Sequence, residues 1–435
     1  MNKILKRFYH PGYGHFNNKK LCLPLCPNNN IVTYDKPVLG NKIQELQFKE
    51  NILSYKTNDI NFYSHKIANI FQNNIIYLPT SHNTPIKTAL QSCRNINPNK
   101  YIKILETMNI TDNNGIFINN QINKNKLLHL LNLSETFQEK KIIESAIYGI
   151  FSNFGDSIYI ANDYLQVSNN HVILSNYPAE ISQREIEKCR IIAYCLLLGN
   201  YPILLDNNIN FEGEANIKFI PAQIINKSKN INYQMCISYN SSRSDLKCID
   251  NINKYLAKLN LPLLKNINIE PKLYYKEYFY HLDCILNFSV NPQLQIFNSI
   301  DDFWKNYKKN GLLIYEKNCI DSKYLNIFDK LFQTKISVTK NDDPLAPNMI
   351  VSPNHIIGSS NISNKNKIPN FYHFNHPSYG GGGAHKCCSN IININKSISI
   401  EEWLDFCKKL DINVKNYFII GIRSEMTRLE NFLYN

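Results

Sequence analysis

The chain contains 435 residues, 43% of them hydrophobic, and no apolar run reaches the roughly 18–20 residues of a membrane span. The formal net charge is +13, but the lysines are dispersed and no run of five basic residues occurs, so we predict no nucleic-acid partner. The twelve cysteines follow no regular spacing, so we expect reduced thiols and a cytoplasmic location.

Residues 1–35 are predicted to form an irregular leader. They are rich in turn-forming residues and show no hydrophobic periodicity. The basic segment Met1–His10 is followed by no apolar stretch, so we do not expect a secretory signal. Cys22 and Cys26 have a spacing that a metal pair could use, but no second pair of ligands lies nearby in sequence, and we predict no metal there.

The apolar residues of Asn125–Tyr148 have helical spacing, and after residue 150 a rhythm of strand, strand, helix and strand returns at intervals of roughly 50–80 residues. This rhythm predicts a repeated α/β architecture whose units share a centre. The predicted strands are His171–Leu174, Tyr201–Leu205, Ile217–Ile220, Tyr233–Tyr239, Leu261–Leu264, Cys284–Val290, Gly311–Tyr315, Lys335–Val338, Met349–Val351, His355–Ile357 and Ser389–Ile394. One predicted helix begins at Arg184, and three others include Leu246–Leu256, Leu325–Leu331 and Trp403–Cys407.

Carboxylates and one imidazole interrupt this rhythm near strand ends, where catalytic groups are usually displayed. Asp163 precedes the first strand, and it suits either a turn or a site. Glu212 lies between a large apolar residue and a glycine, as an inward-facing carboxylate or a solvated turn residue. His281 and Asp283 would point to the same face of a strand, where they would contact a ligand or each other.

The glycine run Gly380–Gly383 precedes two cysteines, and the backbone freedom of glycine lets a ligand approach closely. His385 and Lys386 stand directly before Cys387 and Cys388, and a thiol beside positive charge ionises more readily to the nucleophilic thiolate. A glycine turn with two ordinary buried cysteines is the alternative. A zinc site would recruit His373, His376, His385, Cys387 and Cys388, but their spacing fits no common closed site.

Taken in order, these stretches resemble the guanidine-modifying superfamily of arginine deiminases, dimethylarginine dimethylaminohydrolases and amidinotransferases. The resemblance covers about residues 150–395. The segments that carry it, with the family pattern of each in parentheses, are Asn162–Asp163 (R-D), Phe211–Ala215 (F-E-G-x-x-D), Ser242–Asp245 before a helix, Phe279–Asp283 (F-Y-H-L-D-T), Asp342–Met349 (D-A-x-F-A-x-N) and Gly382–Ser389 (G-G-x-x-C-L-S).

The resemblance implies the pentein fold, an α/β-propeller of five pseudo-symmetric ββαβ units around a central pocket. It places the domain over residues 36–398, although the motifs match only from about residue 150. Residues 399–435 would then be an added extension of helix and strand.

The resemblance also implies a cysteine-dependent hydrolase of arginine or an arginine-like compound. Cys387 aligns with the nucleophile, His281 with the general acid and base, and Glu212 with a catalytic carboxylate. Asp163 and Asp283 would bind the substrate guanidinium, since a planar cation suits paired carboxylate bonds, and Arg243 would pair with a substrate carboxylate.

In this mechanism a covalent thiouronium adduct forms on Cys387 and water releases a ureido product. The substrate's charge would help to ionise Cys387, together with Lys386 or His385. The same residues would serve an amidinotransferase, in which an amine replaces water, and a non-catalytic relative is the alternative from another class. We expect a small guanidino substrate, no cofactor, no metal and no membrane or nucleic-acid partner. A homodimer stays open.

The sequence departs from the family pattern at three positions. Asn162 replaces the arginine before Asp163, Asn216 replaces the second acid of the glutamate motif, and Cys284 replaces a threonine. The first two departures bear directly on the roles of Asp163 and Glu212.

Overall fold

The computed structural model of the chain describes residues 19–27, 31–33, 44, 49, 54–81, 84–107, 129–151, 155–226, 230–241, 243–272, 281–290, 293–338, 345–351, 355–359, 361–377 and 384–434. Several predicted segments therefore lie outside the described residues. These are residues 1–18 of the leader, residues 125–128 of the helical stretch, Ser242, Phe279–Tyr280, Asp342–Pro344 and Gly380–Gly383.

Strands and helices alternate along the described chain, so the fold class is mixed α/β, as predicted. The strands are β1 (Lys19–Leu25), β2 (Ile31–Thr33), β3 (Ser54–Lys56), β4 (Ile75–Pro79), β5 (Tyr164–Gln166), β6 (His171–Leu174), β7 (Tyr201–Ile203), β8 (Ile217–Asn226), β9 (Ile231–Tyr239), β10 (Leu263–Ile269), β11 (Leu286–Ser289), β12 (Gln295–Phe297), β13 (Leu312–Glu316), β14 (Thr334–Val338), β15 (Ile350–Val351), β16 (Ile356–Gly358), β17 (Phe371–His373) and β18 (Asn390–Asn393). The α-helices are α1 (Thr57–Phe71), α2 (Ile86–Ser92), α3 (Pro98–Thr107), α4 (Phe137–Phe151), α5 (Lys188–Leu197), α6 (Cys248–Lys258), α7 (Leu282–Ile285), α8 (Ile300–Asn306), α9 (Ser322–Leu331), α10 (Ile400–Lys409) and α11 (Asn416–Tyr434).

One connectivity recurs in five sheets of the described chain. In each, a first strand is antiparallel to a second, and the second is parallel to a third. The five strand sets are β5–β6–β7, β8–β9–β10, β11–β13–β14, β15–β16–β17 and β18–β1–β4. An α-helix crosses over between the parallel strands in four of them, namely α5, α6, α9 and α1, because a parallel pair needs a long connection.

Strand β1 lies within the segment that the sequence predicts to be irregular. It is the central strand of its sheet, where Cys22 pairs with Asn390 of β18 on one side and with Ile76 of β4 on the other. Leu21 and Leu23 are buried. The sequence did not indicate this strand, because turn-forming residues surround it and both of its partner strands come from distant parts of the sequence.

Helices α2 to α4 pack together around a small apolar core, which confirms the helical spacing predicted for the stretch before residue 150. Its members include Leu90, Tyr101, Ile142 and Ile143. None of the described helices is long and apolar enough to cross a membrane.

The last two helices pack on the first repeated unit. Trp403 of α10 is fully buried, and its indole N–H donates to the carbonyl of Pro202 at 2.9 Å. Phe418 and Ile422 of α11 share a core cluster with Ile192 of α5. The predicted helix around Trp403 is therefore confirmed, and its apolar face anchors residues 400–434 to the α/β body.

Candidate active site

Cys387 lies just before β18, and the Asn348 side chain holds the backbone that leads into it. The Asn348 Oδ1 accepts from the backbone N–H groups of Lys386 at 2.8 Å and Cys387 at 3.1 Å. Its Nδ2 donates to the Cys387 sulfur at 3.2 Å. The thiol is nearly buried, with 5% of the residue exposed. One amide therefore fixes the loop and donates a hydrogen bond to the sulfur.

Glu212 and His281 form a buried pair through the Glu212 Oε2 and the His281 Nε2. The Arg243 Nη1 lies 3.6 Å from the other Glu212 oxygen. Burial alone would raise the pKa of Glu212, but the charges of Arg243 and His281 lower it below its ordinary value. The glutamate therefore carries charge, and it orients the imidazole.

The segment His281–Asp283 is not the strand that the sequence predicts. His281 has extended backbone, Leu282–Ile285 forms the short helix α7, and the strand begins only at Leu286. Asn216 holds this turn, because its Oδ1 accepts from the Leu282 N–H at 3.1 Å and its Nδ2 donates to Ser244 at 2.6 Å. Asn216, which stands where the family pattern has an acid, therefore stabilises this turn.

This turn brings three side chains together. Each of the three has one nitrogen, oxygen or sulfur atom that could bind a metal, and these atoms of His281, Asp283 and Cys284 lie within 4.8 Å of one another. The Cys284 thiol donates to the Asp283 Oδ1 at 3.6 Å. A hydrogen bond with Cys387, followed by burial and the charge of Asp283, raises the pKa of Cys284 well above its ordinary value. Cys284 also packs with Leu345 and Ala384, so this turn adjoins the segments that carry Asn348 and Cys387.

The cations predicted to ionise Cys387 are otherwise engaged. Lys386 donates to Glu214 at 2.9 Å and to the Ser389 carbonyl at 3.1 Å. His385 lies 2.6 Å from the Tyr63 hydroxyl through its Nδ1, and burial lowers its pKa to about 3. The His385 imidazole is therefore neutral at pH 7, and it supplies no charge to the thiol.

Asp163 lies in a buried arginine cluster formed by Asp163, Arg184, Glu187 and Arg190. The Asp163 Oδ1 accepts from Arg184 at 2.7 Å and from the Tyr177 hydroxyl at 2.9 Å, and its Oδ2 lies 3.7 Å from Arg190. Glu187 lies 2.8 Å from Arg184 and 3.1 Å from Arg190. The chain's own guanidinium groups thus surround the carboxylate that the sequence assigns to a substrate.

The arginine cluster adjoins the candidate site through the turn after Glu212. Gly213 has a φ of +55°, and a Cβ there would lie 2.7 Å from the Ala161 carbonyl. Only glycine fits this close approach. The Ala161 N–H also donates to the Cys387 carbonyl at 3.1 Å. The segment before Asp163 therefore contacts both the glutamate turn and the cysteine loop.

Lys218 is a residue of this site that the sequence prediction missed. It lies on β8, two positions after Asn216, and the carboxylates of Asp283 and Glu214 are among the charges that act on it. Its residue is only 3% exposed, and its Nζ has no hydrogen-bond partner among the described residues. The sequence feature that could have identified it is a lysine inside the apolar stretch Ile217–Ile220.

The alternative zinc set is not brought together in the described residues. The one group there with metal-like spacing is His281, Asp283 and Cys284. Its imidazole is paired with Glu212, and its thiol is hydrogen bonded to Asp283. We assign no metal to these three side chains.

No protein-family model matches the chain, and no curated protein matches its sequence. Solved structures that it resembles include the product-bound N-terminal domain of ArgZ, an arginine dihydrolase from cyanobacteria, at 18% identity and a TM-score of 0.38, over 56% of this chain and 77% of that one. Unliganded AgrE is similar at 13% identity and a TM-score of 0.40, over 88% and 40% of the two chains. DDAH from Pseudomonas aeruginosa with citrulline is similar at 12% identity and a TM-score of 0.37, over 60% and 92%. At these scores the likenesses carry no argument, and the proposals below rest on the chain's own residues.

Proposed function

We propose that the chain is a guanidine-modifying enzyme of the pentein type. The ordered sequence motifs support this proposal, and so do the five sheets of shared connectivity. In the proposed arrangement the five units surround one pocket, and the segments that follow Phe211, Asn348 and Ala384 meet there. The domain over residues 36–398 belongs to this proposal.

The proposed reaction is hydrolysis of an arginine-like guanidine through a covalent adduct on Cys387. The observation that carries it is the convergence of groups from four distant segments. Glu212 pairs with His281, whose turn also carries Asp283 and Cys284. Cys284 packs with Leu345 and Ala384 of the segments that carry Asn348 and Cys387, and Asn348 donates to the sulfur. A nucleophile, a proton carrier and carboxylates in one buried place are what attack on a cationic carbon requires.

Each residue then has a role in the first half of the reaction. The Asp283 carboxylate accepts hydrogen bonds from the substrate guanidinium, and Glu212 stabilises that charge while it orients His281. The Cys387 thiolate forms a bond to the guanidinium carbon. His281 gives a proton to the departing amine as its bond to that carbon breaks, which leaves a thiouronium adduct.

In the second half, the neutral His281 takes a proton from water as the oxygen bonds to the adduct carbon. The carbon–sulfur bond then breaks and the sulfur leaves as the thiolate. The proton of the added hydroxyl passes to solvent, where the released amine takes it up, as the carbonyl of the ureido product forms. Glu212 stabilises the imidazolium that forms at His281. These steps use only the substrate, water and side chains of this chain.

Arg243 contacts Glu212, and its proposed role is to pair with a substrate carboxylate. Substrate binding by Asp163 stays a prediction, because Arg184 and Tyr177 already occupy one of its oxygens. A cytoplasmic location and a homodimer also stay predictions.

Incubation with arginine, agmatine and methylated arginines tests the proposal. Hydrolysis gives a ureido product and a free amine, with an adduct on Cys387 that mass spectrometry detects in the His281→Ala variant. A guanidino product that forms only with an added acceptor amine would instead establish amidinotransfer. No turnover of any guanidine, with binding by Cys387→Ser equal to that of the wild type, would identify a non-catalytic relative.

A further inference from the structure

The turn that carries Cys387 is held by three other segments of the chain. The Asn348 side chain accepts from the backbone N–H groups of Lys386 and Cys387, and the Ala161 N–H donates to the Cys387 carbonyl. The third contact is an ion pair, in which the Lys386 Nζ lies 2.9 Å from the Glu214 Oε2. Lys386 also donates to a carbonyl of its own turn, so its ammonium group is fixed in two directions.

The ion pair joins the two turns that carry the proposed chemistry. At one end, Lys386 directly precedes Cys387. At the other end, Glu214 lies in the short helical turn that follows Glu212, the carboxylate paired with His281. A displacement of the pair would therefore move the proposed nucleophile relative to the proposed proton carrier.

The burial of this pair indicates a role other than stability. Lys386 is 1% exposed and Glu214 is 8% exposed, so both charges have lost most of their hydration. Apolar side chains of similar volume are often as stabilising as a buried ion pair, or more so. An ion pair, however, is specific in geometry, because a shift of either turn leaves a buried charge without its partner.

We infer that Lys386 and Glu214 are positioning residues, whose ion pair fixes the Cys387 turn. Through Glu214 the same pair fixes this turn relative to Glu212 and His281. The inference rests on the proposed function in one respect, namely that Cys387 is the nucleophile. A misplacement of about 1 Å can lower a reaction rate about a hundredfold, so the pair acts on kcat through geometry.

The test is the double substitution Lys386→Met/Glu214→Met, which replaces both charges with apolar side chains. Each single substitution leaves a buried charge unpaired, so its thermal midpoint should fall by several degrees, whereas the double variant should recover most of that loss. We expect the double variant to keep a kcat at least about tenfold below the wild type, with KM changed less than about threefold. Lys386→Arg keeps the charge and should retain more of kcat than Lys386→Met.

Hydrogen–deuterium exchange measures the order of the turn without turnover. The backbone N–H groups of Lys386, Cys387, Cys388 and Ser389 are all hydrogen bonded. In the double variant, the peptide that contains them should exchange at least about tenfold faster, while a peptide from α10 exchanges as in the wild type.

Arg428→Met/Glu425→Met is the matched control, because it removes an ion pair of 2.7 Å from α11. It should leave both kcat and the exchange of the Cys387 turn at the wild-type level.

A stable Lys386→Met/Glu214→Met variant that keeps the wild-type kcat or the wild-type exchange would overturn the inference. Lys386→Gln/Glu214→Gln gives the same reading if the methionine variant does not fold. If the wild type turned over no guanidine, the proposed function would fail, and the exchange rates would still decide the inference.

Discussion

The arginine cluster and the candidate active site are both buried, but their charges are paired differently. In the arginine cluster two carboxylates alternate with two guanidinium groups, and all four neighbouring pairs lie between 2.7 and 3.7 Å. In the candidate site, by contrast, neither Asp283 nor Lys218 forms an ion pair within 4 Å with a described residue.

This difference separates a structural role from a chemical one. A closed set of buried ion pairs resists the loss of any member, because removal of one charge leaves its partner uncompensated. Buried charged groups without an ion-pair partner among the described residues can instead pair with a charged ligand. The comparison therefore predicts that substitutions in the arginine cluster affect stability first, whereas substitutions in the candidate site affect reactivity first.

The largest effect is expected at the sulfur. Cys387→Ala removes the nucleophile and should lower kcat by at least about a thousandfold, with the free energy of unfolding changed by less than about 1 kcal/mol. Turnover assays and urea unfolding measure the two quantities. Cys388→Ala is the matched control, since Cys388 is a fully buried packing residue, and it should lose stability but keep its adduct chemistry. An adduct on Cys388 would shift the nucleophile by one residue.

The next effect concerns the imidazole. His281→Ala should lower kcat by about a hundredfold to ten-thousandfold, because the departing amine and the attacking water lose their proton carrier. Rapid quenching and mass spectrometry should show that hydrolysis of the adduct slows. Glu212→Gln should lower kcat less than His281→Ala does, since the imidazole itself remains. Full activity in His281→Ala would remove the histidine from the mechanism.

The sequence alone indicates the role of some of these residues and not of others. The four candidate segments could be picked out because a carboxylate, imidazole or thiol within apolar periodicity is visible locally, and their order then indicated the family resemblance. The pairing of Glu212 with His281 was not visible, since it joins residues far apart in the chain. Lys218 was missed because strand alternation allows a lysine to face solvent, and only the assembled sheet buries it.

The prediction at His281–Asp283 was wrong for a related reason. A run of aromatic and apolar residues favours a strand, but the amide of Asn216 captures the Leu282 N–H and turns the chain. The sequence likewise did not indicate the partners of Asp163, because it predicts only that Arg184 begins a helix. Tertiary hydrogen bonds decide both cases.

Arg184→Met tests the arginine cluster. It leaves Asp163 and Glu187 buried with fewer cations, so we expect the free energy of unfolding to fall by about 3–5 kcal/mol. Urea unfolding measures this change. Arg423→Met, which removes an exposed partner of Glu401, should cost less than about 1 kcal/mol. A small loss in Arg184→Met, together with a large rise in KM, would instead support substrate binding by Asp163.

The smallest effect is a pH dependence at the edge of the candidate site. Burial lowers the pKa of His385 to about 3, so the folded protein holds this ring neutral while the unfolded chain protonates it below about pH 6.5. The stability contributed by the neutral ring should fall as the pH decreases from about 6.5 towards 3, by about 2 kcal/mol between pH 7 and 5. His385→Asn should flatten this part of the urea-unfolding profile, whereas an unchanged slope would contradict the neutral assignment. Burial also lowers the pKa of His171 to about 4. Because the His385→Asn variant retains His171, the contribution of His171 to the pH dependence should be the same in the variant and the wild type.

The pairing of β18 with β1 has a consequence for how this protein reaches its active form. The strand that follows Cys387 is completed by Lys19–Cys22, so the two meet only after a very long loop has closed. Closure of long loops is slow because the ordering entropy is lost before the contacts form. During synthesis, β1 must therefore wait for the residues of β18, and the Cys387 thiol becomes organised among the last events in the folding of residues 19–393.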